Sequence, residues 1–139
     1  MSKTRQIPAE IAELEDQTIH LLVRAELEGL DNYWWVVDTG ASMSVIGKEV
    51  AFRFVADQSV GSMATGLGKE MVETTTGVIC QLLLGGCSFD PLSVAIVDLQ
   101  HVNEEYAKYT DKRIAGLLGS DFFYREKAVI DYDKKIIFL

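Results

Sequence analysis

The stretch Tyr33-Trp34-Trp35-Val36-Val37 is apolar at five consecutive positions and ends on a carboxylate, Asp38. A strand shows alternate side chains to opposite faces, so an unbroken apolar run predicts a strand buried on both sides, at the centre of a sheet. An acid at the end of such a strand is costly to bury without a partner. The rest of the chain has to cover this strand and also account for Asp38.

The flanking sequence is built from strand-sized patterns. From Thr18 onward, Ile19, Leu21, Val23, Ala25 and Leu27 alternate with His20, Arg24 and Glu26, which predicts a half-buried strand. The segment KEVAFRFVADQ at 48–58 lacks Gly and Pro and carries Val50, Phe54 and Val55 on one side, so it predicts a helix. Residues 59–78 predict two strands joined at Gly66-Leu67-Gly68, and Gly85-Gly86 between apolar runs predicts a two-residue hairpin turn. LSVAIVDL reads as a strand, HVNEEYAKYTDKR as a polar connection with helical character, IAGLL as a buried strand and GSDFFYREK as a short helix. AVIDYDKKIIFL closes the chain as a hairpin turning at Asp133-Lys134, and its apolar end calls for cover from its own domain or from a second chain. The acid-rich residues 1–17 predict a solvated polar extension with a loose helical turn or two, leaving a single domain at 18–139. The tally is a mainly β fold with two or three short helices, closed or sandwich-like.

Charge and composition narrow the function. The 139 residues carry 21 acids against 13 bases, a net charge of −8 that repels phosphate backbones and anionic lipid and argues against nucleic-acid and membrane-surface partners. No apolar run reaches bilayer length, and MSKTRQIPAE has Lys3 and Arg5 without the apolar core of a secretory signal, so the expected compartment is the cytoplasm. Across the Gly85-Gly86 hairpin Leu84 faces Cys87, so Cys80 and Cys87 would sit roughly 13 Å apart at about 3.3 Å per residue, too far for a disulfide. Their spacing is not a zinc pattern either, and both are expected to be small buried hydrophobes. His20 and His101 belong to no ligand motif; a strand face and a loop are their expected places. Trp34 and Trp35 point to opposite faces and are expected to pack in the core. No cofactor or metal is implied.

The triplet Asp38-Thr39-Gly40 is weak evidence alone, and a turn Asp satisfied by backbone amides would explain it. Its surroundings are more specific. Val36-Val37-Asp38-Thr39-Gly40-Ala41-Ser42 joins an apolar strand to the triplet, Leu117-Leu118-Gly119 repeats an apolar strand ending at a glycine before a short helix, and AVIDYDKKIIFL closes the chain. In these three signatures and their order the sequence resembles the retropepsin-like aspartic proteases, over about Ile19 to Leu139.

That resemblance implies a closed β-barrel or acid-protease half-domain working as a symmetric homodimer on peptide or protein substrates. Peptide hydrolysis without a metal or covalent nucleophile needs a water activated by a base and a carbonyl activated by an acid, and two close carboxylates sharing one proton supply both. Only one Asp-Thr-Gly is present, and Asp57, Asp90, Asp98, Asp111, Asp121, Asp131 and Asp133 all lack its frame. The second Asp38 would therefore come from a two-fold partner. By resemblance, Thr39 would lend its hydroxyl to the partner, and Gly40 would leave room for backbone approach and bind substrate. Ala41, Ser42 and Leu117 would line the groove, and Gly66-Leu67-Gly68 would be the tip of a flap closing over the peptide. Two other classes compete with the endopeptidase: a dimerising, peptide-binding module of the same fold with weak or no catalysis, and a monomeric β-barrel scaffold without a dyad.

Overall fold

The computed structural model describes residues 5–64 and 71–139; the expected flap tip, Gly66-Leu67-Gly68, lies outside the described residues. Twelve strands and three α-helices are described: β1 (Gln6–Glu13), β2 (Ile19–Arg24), β3 (Tyr33–Val37), β4 (Val45–Gly47), α1 (Lys48–Phe54), β5 (Val55–Ala64), β6 (Met71–Ile79), β7 (Leu82–Leu84), β8 (Cys87–Phe89), β9 (Leu92–Val97), α2 (Gln100–Tyr109), β10 (Arg113–Leu118), α3 (Ser120–Arg125), β11 (Val129–Asp131) and β12 (Ile136–Phe138). No helix among the described residues is long and apolar enough to cross a membrane.

Ten strands form one hydrogen-bonded series, in the order β11-β12-β1-β2-β3-β10-β4-β9-β6-β5, with β7-β8 as a separate hairpin. The expected closed barrel is not found. The end strands β11 and β5 do not pair with each other, and the sheet carries core on both faces, one cluster joining residues of β12, β1, β2, β3, β10, β4, β9 and β6 and a second lying under α2. β3 is central, as its composition predicts: Tyr33 and Trp35 enter the main core with Leu21, Val23, Ile46, Leu118 and Phe122, while Trp34 and Val36 join Leu22, Ile114 and Tyr106 on the opposite face. Helix α2 supplies the cover there. Asn103 locks it to the sheet, accepting from the Ile114 amide at 2.7 Å and donating to the Ile114 carbonyl at 3.2 Å.

Of the expected solvated extension at residues 1–17, one helical turn is present, a 3-10 turn at Glu15–Gln17, but the part before it is not a loose tail. Gln6–Glu13 is a strand paired with β12 on one side and β2 on the other, with Ile7 1% and Ala12 3% exposed. Ile7, Ala9 and Ile11 share one face and lie on the main core, while Glu10 and Ala12 share the other, where Ala12 is buried with Leu22 and Trp34. This pairing also covers the apolar C-terminus, because β12 has β11 and β1 on its two sides.

Three smaller expectations change as well. α1 ends at Phe54, where Gln58 Nε2 donates to the Ala51 and Val55 carbonyls at 3.3 Å and the chain enters β5 through a bulge with Asp57 at φ +53°. Cys80, just beyond β6, is exposed and Cys87 half-buried, both free thiols, so neither is a core residue. His101 sits exposed in the first turn of α2 rather than in a loop. The Gly85-Gly86 turn is as expected, with both residues at positive φ and Leu84 opposite Cys87.

Gly116 has a strict steric role. A Cβ there would lie 2.0 Å from the Val45 carbonyl oxygen and 2.5 Å from Trp35 Cζ3, so β10, β4 and Trp35 meet only because that atom is missing. Gly116→Ala is expected to destabilise the fold by about 1–3 kcal/mol through overpacking, measured by urea unfolding. Gly61→Ala, where a Cβ meets nothing within 4 Å, should stay within about 0.5 kcal/mol. Tyr106, hydrogen-bonded to His20 Nδ1, is 1% exposed, and burial raises its hydroxyl pKa from 10.0 to about 12. The neutral hydroxyl is favoured in the folded state, so its contribution is complete below pH 10 and is lost as pH rises through about 12. Unfolding free energies across that window should fall less steeply in Tyr106→Phe.

Candidate active site

Asp38 emerges where two backbone ladders, β3–β10 and β10–β4, converge. β3 runs parallel to β10 with Val37 opposite Leu118, and the Asp38 amide continues the pairing by donating to the Leu118 carbonyl at 2.9 Å. The chain then turns, with the Ala41 amide donating to the Asp38 carbonyl at 3.1 Å. It returns as β4 along the other edge of β10, placing Val45 opposite Leu117 and Ile46 opposite Gly116. β10 therefore lies between the two arms of the loop 38–44. Displacing Asp38 requires breaking strand pairing on both sides.

The loop is tied again to the segment that follows β10. The Ser120 amide and hydroxyl donate to the Ala41 carbonyl at 2.7 and 3.1 Å. The Gly119 amide donates to Ser44 Oγ at 2.9 Å, and both Asp121 carboxylate oxygens accept from Ser44, one from its amide at 2.9 Å and one from its hydroxyl at 2.8 Å. Ser44 is fully buried, and its hydroxyl is satisfied as donor and acceptor. The fit needs glycine at 119, since a Cβ would lie 2.6 Å from the Ala41 carbonyl oxygen.

The expected site residues divide into two groups. Asp38 to Ser42 lie together on this loop: Asp38 and Ala41 are half-buried, and Thr39, Gly40 and Ser42 exposed. Leu117 is close by through β4 and β10, half-buried against the face that carries α2. Gly66, Leu67 and Gly68 are outside the described residues; the strands leading to them, β5 and β6, are paired antiparallel as expected. Sequence reasoning missed Ser44 and Asp121. Asp121 stands two residues past Leu117-Leu118-Gly119 but lacks the Thr-Gly frame, and only the folded chain puts it beside Ser44.

The Asp38 carboxylate accepts no hydrogen bond from the described residues, so the loop's own amides do not satisfy it in the manner of an ordinary turn Asp. Nor does the Thr39 hydroxyl find a partner among them. A Cβ at Gly40 would sit 3.6 Å from Asp38 Oδ1, an ordinary contact, so packing among the described residues does not demand glycine there. The two concavities described lie elsewhere. One of about 830 Å³ is lined by α2 residues with Lys48, Glu49 and Arg113, and one of about 480 Å³ by 24–28, 30–32 and Leu83; neither includes an expected site residue. Among the described residues no three His, Cys, Asp or Glu side chains come together as a metal site would require.

The support network makes a direct prediction. Asp121→Ala leaves the buried Ser44 amide and hydroxyl without their acceptor and should lower stability by about 3 kcal/mol in denaturant unfolding. Asp121→Asn, which keeps one acceptor oxygen, should recover part of the loss.

A sequence profile described as aspartyl protease matches residues 23–122, from within β2 to the first turn of α3, and so takes in both the Asp38 loop and its Gly119–Asp121 support. A crystal structure of the retroviral protease-like domain of Ddi1 from Leishmania major is similar, with 16% sequence identity over 98% of this chain and 90% of that one and a TM-score of 0.45. No curated protein sequence matches the chain. The profile covers well over half of the residues, and the chain belongs to the aspartyl protease family, as its resemblance to the retropepsin-like members implied.

Proposed function

We propose that this protein is an aspartic endopeptidase that works as a symmetric homodimer, with the two Asp38 carboxylates, one per chain, activating a single water. The observation that carries this reading is the state of Asp38: a half-buried carboxylate on a main chain pinned by Leu118, whose side chain has no partner among the described residues. A carboxylate that none of the described residues binds is open to a twin carboxylate, a shared proton and a water.

Thr39 and Gly40 fit the same arrangement. Thr39 is exposed and its hydroxyl uncommitted among the described residues, which leaves it free to donate to a second chain. Gly40 is exposed, and the need for its missing side chain would come from substrate or the second chain. Ala41, Ser42 and Leu117 would border an extended substrate, and the β5–β6 hairpin would carry Gly66-Leu67-Gly68 over it. In the reaction the ionised member of the pair takes a proton from water as the oxygen attacks the peptide carbonyl, and the protonated member gives its proton to the carbonyl oxygen. The carboxyl that took the water's proton then gives it to the amine nitrogen as the C–N bond breaks, one hydroxyl of the tetrahedral carbon returns its proton to the other carboxylate as the C=O reforms, and the pair is left again with one.

Asp38→Asn is expected to abolish cleavage of an unstructured polypeptide library while leaving the thermal unfolding midpoint nearly unchanged; cleavage surviving in that variant would remove the mechanism. The pH profile of kcat/KM should be bell-shaped. It falls on the alkaline side as the pair loses its shared proton, and on the acid side as both carboxyls become protonated.

A further inference from the structure

Helix α2 is held to the sheet by two polar ties of different chemistry. Asn103 bonds both backbone groups of Ile114, and an amide side chain has no charge to gain or lose. Tyr106, 1% exposed, bonds His20 Nδ1 on β2, and histidine is the side chain that changes charge between about pH 5 and 8. We propose that the His20–Tyr106 pair is an acid-sensitive latch, which holds α2 on the sheet at neutral pH and loosens it when His20 takes a proton. The latch does not depend on the catalytic reading of Asp38. It does bear on the same region, because α2 covers the cluster that includes Val36 and Leu117, which lie opposite each other just before the Asp38 loop.

The direction follows from the donors. Burial pushes the Tyr106 hydroxyl up to about 12, so it remains a neutral donor wherever histidine titrates. Among the described residues His20 Nδ1 is the one partner of that hydroxyl, so the imidazole has to offer Nδ1 as an acceptor. A protonated ring carries a hydrogen on Nδ1 and can only donate, which leaves the Tyr106 proton without an acceptor where water does not reach. The bonded pair is therefore built for the neutral ring. Charged groups around it are already matched. Register puts Glu10 and Arg24 on the face of His20, since Ala12 lies opposite His20 and Glu10 opposite Leu22. Glu10 is 3.4 Å from Lys112, and Arg24 lies over the Trp34 ring. On α2, Lys108 is 2.8 Å from Glu105, and Glu15 in the turn between β1 and β2 also acts on Lys108. Each of these carboxylates has a cation of its own, so the hydrogen bond decides the sign.

Backbone amide exchange along α2 tests the latch, with rates corrected for the intrinsic effect of pH. In the natural chain the protection of α2 amides should fall roughly tenfold or more between about pH 7.5 and 5.5, while β3 and β10 keep theirs. His20→Gln retains a side-chain oxygen for the Tyr106 hydroxyl and removes the titration, so its α2 protection should stay level across that range. Tyr106→Phe removes the donor that protonation strands. Its protection should start lower and also stay level, which decides the point if glutamine does not fit at position 20. His101→Gln, in the exposed first turn of α2 beside Glu104, should follow the natural chain. A natural chain whose α2 protection stays level overturns the latch. So does a His20→Gln or Tyr106→Phe chain that loses protection in acid as the natural chain does. Cleavage is not read in this experiment, so its failure leaves the Asp38 mechanism standing.

Discussion

The structure depends on β10 lying between the two strands that bracket the Asp38 loop. β3 leads in parallel to it and β4 leads out antiparallel to it, so the short connection from Asp38 to Ser44 is held by backbone ladders at both ends. Backbone hydrogen bonds are a suitable anchor for this loop because they carry no side-chain rotamer freedom. The arrangement has a steric condition, met by Gly116, where strand, strand and indole ring meet too closely for any side chain. It has a polar condition as well: the buried end of the loop brings in Ser44, and Asp121 accepts both of its donors. Rigidity of main chain and freedom of one carboxylate thus arise from the same few residues.

This placement explains why an acid can end the most apolar strand of the chain. The indole and aliphatic side chains of β3 are divided between two buried faces, and Asp38 begins where the sheet's cover stops. Its main chain remains in the ladder for one more hydrogen bond while its side chain leaves the core.

How far the sequence spoke for this structure differs from element to element. The central strand, the glycine hairpin at 85–86, the short helix after Gly119 and the terminal hairpin are local: their signals are apolar runs and turn residues within a few positions. β1 was obscured because its core contacts are Ile7 and two alanines among acids, and its strand state is secured by β12, more than a hundred residues away. The cover on the second face of the sheet was obscured for a similar reason, since it depends on α2, whose docking rests on buried Tyr106 and on Asn103 stitching to Ile114. At the site, Asp38 through Ser42 were marked by their motif. Ser44 and Asp121 were not, because a buried serine and a carboxylate seventy-seven residues apart have no sequence pattern that links them.

The central claim is that one catalytic centre requires two copies of Asp38. It is tested most directly by mixing the natural chain with inactive Asp38→Asn chains, letting subunits exchange to equilibrium, and measuring specific activity against the fraction of natural chain. If each centre takes one carboxylate from each subunit, activity falls as the square of that fraction. A linear fall would show that each chain carries a complete centre alone, and would contradict the account.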